Sequence, residues 1–326
     1  MKHKLTMEGY GYRLRPITLE DAPFIIELRL EDMQRNRFIH VISSDIREQE
    51  KWLENYFTRE GDYYFVIENR FTRQPEGLIA FYNEQDGRAE WGRWVVKKGS
   101  LAAVESVWLL YRIAFESVGL QELYCRTVKD NIDVVSFHDS IGEKKRCIHE
   151  GFFEINGRLY DAVEHYCDRM HFNQNLFSAL ESKSLAIAQR NFRQLVGRFE
   201  FHHIAVATKG IQKELPLYAL LGYKQESPYF TDTNQGIKGI FLAAKNQPRL
   251  ELLENLPGST TLDPYIEKNL KMYHSAYLVE HIEKAVEVLI NCRAKIISPL
   301  KESTYFGKRI CFLVLPNLMM IELIEE

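Results

Sequence analysis

Four residues in the C-terminal part have the types and spacing to hold a metal ion. His203 precedes Glu251 by 48 positions, and His274 precedes Glu322 by the same 48. One pair follows the other at an offset of 71. A pseudo-twofold arrangement would bring two imidazoles and two carboxylates together. That donor set suits Zn, Ni, Co, Mn or Fe(II), with coordination positions left for water or substrate. Two carboxylates on such a Lewis acid could remove and return a proton next to a carbonyl group.

The offset of 71 is an internal repeat. It aligns Ala205 with Ala276, Ile211 with Ile282, Phe241 with Phe312 and Leu252 with Leu323. Each unit opens on an alternating stretch, HHIAVAT or YHSAYLV, of the period expected for a strand. An amphipathic segment follows, IQKELPLYALLGY or HIEKAVEVLINCRA, which predicts a helix. Short strands close each unit: GIKGIFLAA and RLELLEN, then KRICFLVL and MMIELIEE. The pattern is βαβββ written twice.

Residues 1–170 read differently. YRLRPITLEDAPFIIELRLE predicts a strand and an acid-started helix. REQEKWLENYF is a second helix, and YYFVIENR, GLIAFYNEQD and RAEWGRWVVK are strands. VESVWLLYRIAFESVGL is a long helix with an apolar stripe. ELYCRTVKDN is a strand, and NIDVVSFHDSI is a helix closed by Gly142. Two further strands end this part. Residues 171–199, with one Gly and no Pro, predict a helical connector rather than a flexible spacer. The division is therefore 1–170, 171–199 and 200–326, in an α+β chain of two domains.

The chain has 326 residues, 42 Lys+Arg against 45 Asp+Glu, and 45% hydrophobic content. These are globular proportions, which exclude disorder and coiled coil. The near-neutral balance argues against a general electrostatic grip on nucleic acid or an anionic membrane. Five Cys without a CxxC pair indicate neither a disulfide framework nor a zinc knuckle. No apolar leader or run of 18 apolar residues is present, so the expectation is a reduced, cytoplasmic protein. A homodimer is compatible with this reading.

Over residues 10–170 the element order β-α-α-β-β-β-α-β-α-β-β resembles the GNAT acyltransferases. The opening YRLRPITLEDA and the block from Asn131 through His138 to Gly142 carry the likeness. The branch it is most similar to acylates amino sugars on nucleotide carriers. The resemblance implies a mixed, splayed central sheet and acyl-CoA as co-substrate. It places His138 where the family has a tyrosine general acid for the departing thiolate. It makes Glu90, on AEWGRWVV, the candidate base. The family's glycine-rich pyrophosphate loop is replaced by VVKKGSLAAVESVW. There Val95, Val96, Lys97, Lys98, Gly99 and Ser100, with Asn131, are the expected CoA contacts, aided by N–H groups at a helix start. Arg93, Trp94 and Glu105 are the expected acceptor contacts. Arg93 lies three residues past Glu90 and would reach the same side only if a bulge intervenes.

Residues 200–326 resemble the vicinal oxygen chelate fold, in particular methylmalonyl-CoA epimerases and glyoxalase I. HHIAVAT, QGIKGIFL, RLELLEN, YHSAYLV and MMIELIEE carry this likeness. The family's metal positions fall on His203, Glu251, His274 and Glu322.

The expected function is transfer of an acetyl or 3-hydroxybutyryl group from acyl-CoA to the amine of a nucleotide-linked amino-dideoxy sugar. A dTDP-3-amino-3,6-dideoxyhexose destined for the lipopolysaccharide O-antigen fits that class. The alternatives are a metal-dependent acyl-CoA epimerase or isomerase in the C-terminal domain, and a protein or antibiotic N-acetyltransferase.

Overall fold

The computed structural model describes residues 2–326. Two compact units make up the chain, Met1–Asn191 and Phe192–Glu326.

The first unit is an eight-stranded sheet in the order β1-β2-β3-β4-β5-β6-β8-β7. Its strands are β1 (Met7–Glu8), β2 (Tyr12–Pro16), β3 (Tyr63–Asn69), β4 (Pro75–Gln85), β5 (Arg88–Val96), β6 (Glu122–Val128), β7 (Lys144–Ile155) and β8 (Arg158–Asp168). Helices α1 (Ala22–Leu30) and α2 (Ile46–Phe57) precede β3. Helix α3 (Ala103–Arg112) runs on as a π-helical turn through Val118, and α4 (Ile132–Ile141) follows β6. Alternation along the central strands supplies two cores. Phe65, Ile67, Ile79 and Phe81 join Trp108, Leu109 and Tyr111 of α3 on one face. Tyr64, Val66, Leu78 and Ala80 join Ile25, Leu28, Leu53 and Tyr56 of α1 and α2 on the other.

The sheet opens in its middle. β5 and β6 are parallel, and their pairing covers only Arg88–Glu90 against Glu122–Tyr124. Just beyond, β5 bulges against β4: Gly92 faces Ala80, while Val95 faces Leu78. Arg93 sits in the bulge at φ 46°, a region a non-glycine residue enters only with support. Asp62 provides it with a bidentate ion pair, 2.6 and 3.0 Å. The Tyr82 ring lies 4.4 Å beneath the guanidinium.

The connector is not free-standing. Short α5 (Arg169–His171) continues through a π-helical turn into α6 (Phe177–Val196). Phe172, Leu176 and Leu180 are buried in the first unit's core. The boundary between units accordingly falls inside α6, at residue 191, because its apolar residues start packing before the helix ends.

Glu105, expected at the acceptor, is fully buried in the first turn of α3. It accepts the backbone N–H of Gly11 at 3.0 and 3.2 Å and that of Tyr10. It lines neither of the cavities described below. A Cβ at Gly9 would meet its Oε1, so glycine is required there by close approach. Burial pushes the Glu105 carboxyl up to about 7, against the pull of those N–H donors. The folded state thus holds a proton that the unfolded chain releases near pH 4.3. The resulting stability is complete below that value and is lost as pH rises through about 7. Glu105→Ala should destabilise by about 1–3 kcal/mol, since it orphans buried N–H groups. Glu105→Gln should reduce the pH slope in urea melts between about pH 5 and 7 and leave the part due to Glu322. An unchanged slope in Glu105→Gln would show that another group causes it.

The second unit is one sheet of nine strands, with the path β10-β12-β13-β9-β14-β17-β16-β15 and β11 beside β12. The first βαβββ set is β9 (Phe199–Ala207), α7 (Ile211–Leu220), one strand position split into β10 (Lys224–Gln225) and β11 (Phe230–Asp232), then β12 (Ile237–Ala243) and β13 (Leu250–Asn255). After α8 (Asp263–Glu267) the second set is β14 (Met272–Val279), α9 (Ile282–Asn291), β15 (Lys295–Ser303), β16 (Lys308–Val314) and β17 (Met320–Glu325). β13 runs parallel to β9 and β17 parallel to β14, while β9 and β14 join the halves antiparallel.

Candidate active site and metal cage

The parting of β5 from β6 makes two adjoining cavities. One, of about 470 Å³, is lined by Trp94, Val95 and Val96 of β5, Ala103 of α3, and Asn131, Val134 and Phe137 at α4. The other, of about 340 Å³, is lined by Glu90, Trp91, Arg93 and Trp94 of β5, Cys125 and Arg126 of β6, His138 of α4, and Phe153 of β7. Phe38, Ile39, Trp94, Val95, Asn131 and Val134 line both, so the two spaces share a wall.

The sequence-predicted residues divide accordingly. Val95, Val96 and Asn131 line the larger cavity. Lys97, Lys98, Gly99 and Ser100 line neither. Lys97 Nζ pairs with Glu27 Oε1 at 3.1 Å. Ser100 Oγ donates to Glu76 and accepts from Ala102 N–H. Gly99, at φ 80°, makes the turn between strand and helix. Glu90, His138, Arg93 and Trp94 all line the smaller cavity. The Arg93 guanidinium is committed to Asp62, and Trp94 Nε1 donates to Ser106 Oγ at 3.2 Å.

Glu90 is set against Arg126, with Nη1 3.2 Å from its Oε2. Arg126 also donates to Glu164 at 3.0 Å. Burial raises the Glu90 carboxyl above its ordinary value, and Arg126 opposes that rise. His138 is 2% exposed. Its ring packs edge-on to Trp91 at 5.1 Å and stacks on His165 at 5.1 Å. Nδ1 lies 2.8 Å from Glu143 Oε2.

Glu143 was not legible as a partner from residue type alone, but a signal was present. Gly142, at φ 89°, ends α4. Gly142 N–H bonds the Asp139 carbonyl and Glu143 N–H bonds that of His138. This is the double-bonded helix ending in which the residue after the glycine folds back on the one five positions earlier. Here it turns a carboxylate onto an imidazole.

In the second unit the strand register builds the cage. Glu251 pairs with Ala205, and Ala205 with His274. His203 pairs with Ala276, and Ala276 with Glu322. Two alanines therefore sit between the four larger side chains and leave the space between them open. His203 Nε2 lies 3.0 Å from Glu251 Oε2 and 3.7 Å from Glu322 Oε2, and His274 Nε2 lies 3.2 Å from Glu322 Oε2. All four residues are at least 95% buried. Nε2 of both histidines has no hydrogen-bond partner despite its burial. Unpaired ring nitrogens facing carboxylates fit a cation's requirements.

The charges point the same way. Burial holds His274 down to about 4, so it is neutral. Burial raises Glu251 and Glu322 alike, but the adjacent His203 outweighs it at Glu251 and brings that carboxyl below its ordinary value. Glu322 stays well above the usual carboxylate range. Two buried carboxylates this close cannot both be charged without a cation. Arg249 Nη1 donates to His202 Nε2 at 2.7 Å, which leaves His202 Nδ1–H to donate to His203 Nδ1, also at 2.7 Å. A cation at His203 Nε2 needs the opposite tautomer, and because a guanidinium cannot accept, loading must break the Arg249–His202 contact.

Comparison with known proteins divides at the same place. The Acetyltransferase (GNAT) domain family matches residues 12–144. The Glyoxalase/Bleomycin resistance protein/Dioxygenase superfamily matches residues 202–312. Mitochondrial methylmalonyl-CoA epimerase of Dictyostelium discoideum is 25% identical over 120 residues, which is 36% of this chain and 72% of that protein. Among solved structures, a GCN5-related N-acetyltransferase from Brucella melitensis is similar with TM-score 0.50 and 18% identity, over 55% of this chain and 85% of that one. Apo FdhC, a nucleotide-linked sugar GNAT, is similar with TM-score 0.47 and 25% identity, over 55% and 98%.

Proposed function

We propose, for a chain that joins an acyl-CoA-dependent N-acyltransferase domain of the GNAT family to a glyoxalase-superfamily domain, that the acyl acceptor is a nucleotide-linked amino sugar. One observation carries this reading: the arginines and aromatic rings that line the smaller cavity. Its lining holds three arginines, Arg29, Arg93 and Arg126, and five aromatic rings, Phe38, Tyr82, Trp91, Trp94 and Phe153. Glu90 is its single carboxylate, and Arg126 neutralises it. A polyamine or basic peptide would need acidic walls. A sugar carried on an anionic diphosphate and a base suits arginines and rings.

Acyl-CoA occupies the larger cavity, with its thioester at the shared wall beside Trp94 and Asn131. The amine enters from the smaller cavity, between Glu90 and His138. Amide formation from a thioester is downhill, so the protein's task is to align the amine, remove its proton and protonate the thiolate.

A thiol-release assay tests this. Acetyl-CoA and 3-hydroxybutyryl-CoA are offered with a panel of nucleotide-linked amino sugars, spermidine and a basic peptide. CoA release that depends on an amino sugar is the expected result. Release with spermidine or peptide instead would overturn it.

A second reading concerns the cage alone. The likeness to a methylmalonyl-CoA epimerase and the four converging ligands support an acyl-CoA epimerase or isomerase site. His203, Glu251, His274 and Glu322 would hold a divalent ion, which would polarise a thioester carbonyl. Two carboxylates then stand ready to accept and return an α-proton.

A further inference from the structure

We infer that Glu143, backed by Tyr111, is a positioning residue that fixes the His138 tautomer and makes this one imidazole the proton shuttle of acyl transfer. The inference rests on the amine-acylating reading above and adds residues and a proton path to it. His138 Nδ1 is 2.8 Å from Glu143 Oε2. The Tyr111 hydroxyl donates to the other oxygen, Oε1. Both residues are buried, Tyr111 completely and Glu143 to 94%. A carboxylate accepts and does not donate, so the imidazole proton belongs on Nδ1. Nε2 is left with a bare lone pair on a ring that lines the smaller cavity.

The remaining neighbours of His138 do not compete for that lone pair. Cys125 Sγ is 3.7 Å from Nδ1 and 3.6 Å from Nε2. Near-equal distances put the sulfur over the ring face, because an in-plane position would press it onto Cε1. Burial and the Glu143 charge push the Cys125 thiol well up, so it stays protonated and packs as a small apolar group. The three groups are close enough to suggest a metal site. Both Glu143 oxygens, however, already accept, one from Tyr111 and one from His138, and the Cys125 thiol keeps its proton. His165 stacks on the ring, and its Nε2 is turned to Asp139 at 3.0 Å.

The step balances with no further reactant. Nε2 takes a proton from the substrate ammonium. The freed amine attacks the thioester carbonyl, a C–N bond forms, the second proton on that nitrogen leaves to solvent and the C–S bond breaks. The imidazolium then returns a proton from Nε2 to the CoA thiolate. Glu143 opposes the positive charge in between and keeps the ring from turning. Glu90, held by Arg126, orients the amine rather than taking its proton.

The test combines a spectroscopic and a kinetic arm on the full chain. Nitrogen-15 labelled histidine is examined by NMR, and the His138 signals are assigned by their loss in His138→Gln. The expected wild-type spectrum has Nδ1 protonated and Nε2 bare. Glu143→Leu should abolish that preference and lower kcat at least thirtyfold, with KM for acyl-CoA within twofold. Glu143→Gln keeps an acceptor oxygen in place. It should retain the tautomer, recover part of kcat and serve as the folded control. A wild-type His138 protonated on Nε2, or Glu143→Leu with kcat within twofold, would overturn the inference. The NMR arm needs no acceptor, so a failure to find the acceptor sinks the sugar reading without touching the tautomer.

Discussion

His138→Gln lowers the rate of acyl transfer at least a hundredfold, with acyl-CoA binding retained. Proton transfer by a placed side chain contributes about 10²–10⁴ in rate. His138 lines the smaller cavity, and the carboxamide matches its size without its basicity. Glu90→Gln keeps the shape beside Arg126 and should cost at least tenfold, chiefly in KM for the acceptor, because one of the two oxygens that can accept the amine's N–H is replaced by a donor. Single-turnover rates with a competent amino sugar separate the two. Thermal melts guard against a trivial cause, since His138→Gln also disturbs a buried contact to Glu143. Unchanged rates in both variants would remove these roles and move the proton chemistry to solvent.

The second large effect is in the other unit. Reconstituted protein should bind one divalent ion per chain. His203→Ala or His274→Ala should weaken that binding about a hundredfold or more, beyond the 10–100-fold typical of losing a mere supporting contact. Binding should also be weaker at about pH 6 than at about pH 8, because Glu322 is held protonated in the cage and a cation must displace that proton. No cage residue lines either cavity of the first unit. EDTA should therefore leave acyl transfer unchanged while removing any exchange of an acyl-CoA α-proton. Metal analysis before and after dialysis, run beside the thiol-release assay, reads both. A protein that binds no divalent ion at all would mean the repeat has kept the ligands without the site. Acyl transfer abolished by EDTA would mean that the two units depend on each other chemically.

Much was legible in the chain itself. The 48-residue and 71-residue spacings pick out four side chains that the sheet brings close together, because a duplicated βαβββ unit repeats its register with its sequence. They also aligned Ala205 with Ala276, and only the sheet shows that these alanines stand between the ligands and keep the space open. Hydrophobic period, with acidic helix starts, turn residues and a closing glycine, indicated the order of strands and helices in the first unit.

Other features depended on tertiary structure. Glu105 and Glu90 are both acids in apolar surroundings, and nothing local separates them. One is folded against the backbone of Tyr10 and Gly11, and the other lines a cavity, because of residues about 95 and 36 positions away. Lys97 and Ser100 read as phosphate contacts from their place before a helix, yet their partners are Glu27 and Glu76, which only the folded chain brings near. Arg93 depended on a bulge, and the bulge exists because Asp62 holds it. Sequence sets periodicity, register and repeat, which are properties of neighbours along the chain. Which polar group is paired, and which is left to meet a substrate, is set by side chains brought together from distant segments, and it is settled only when the sheet closes around them.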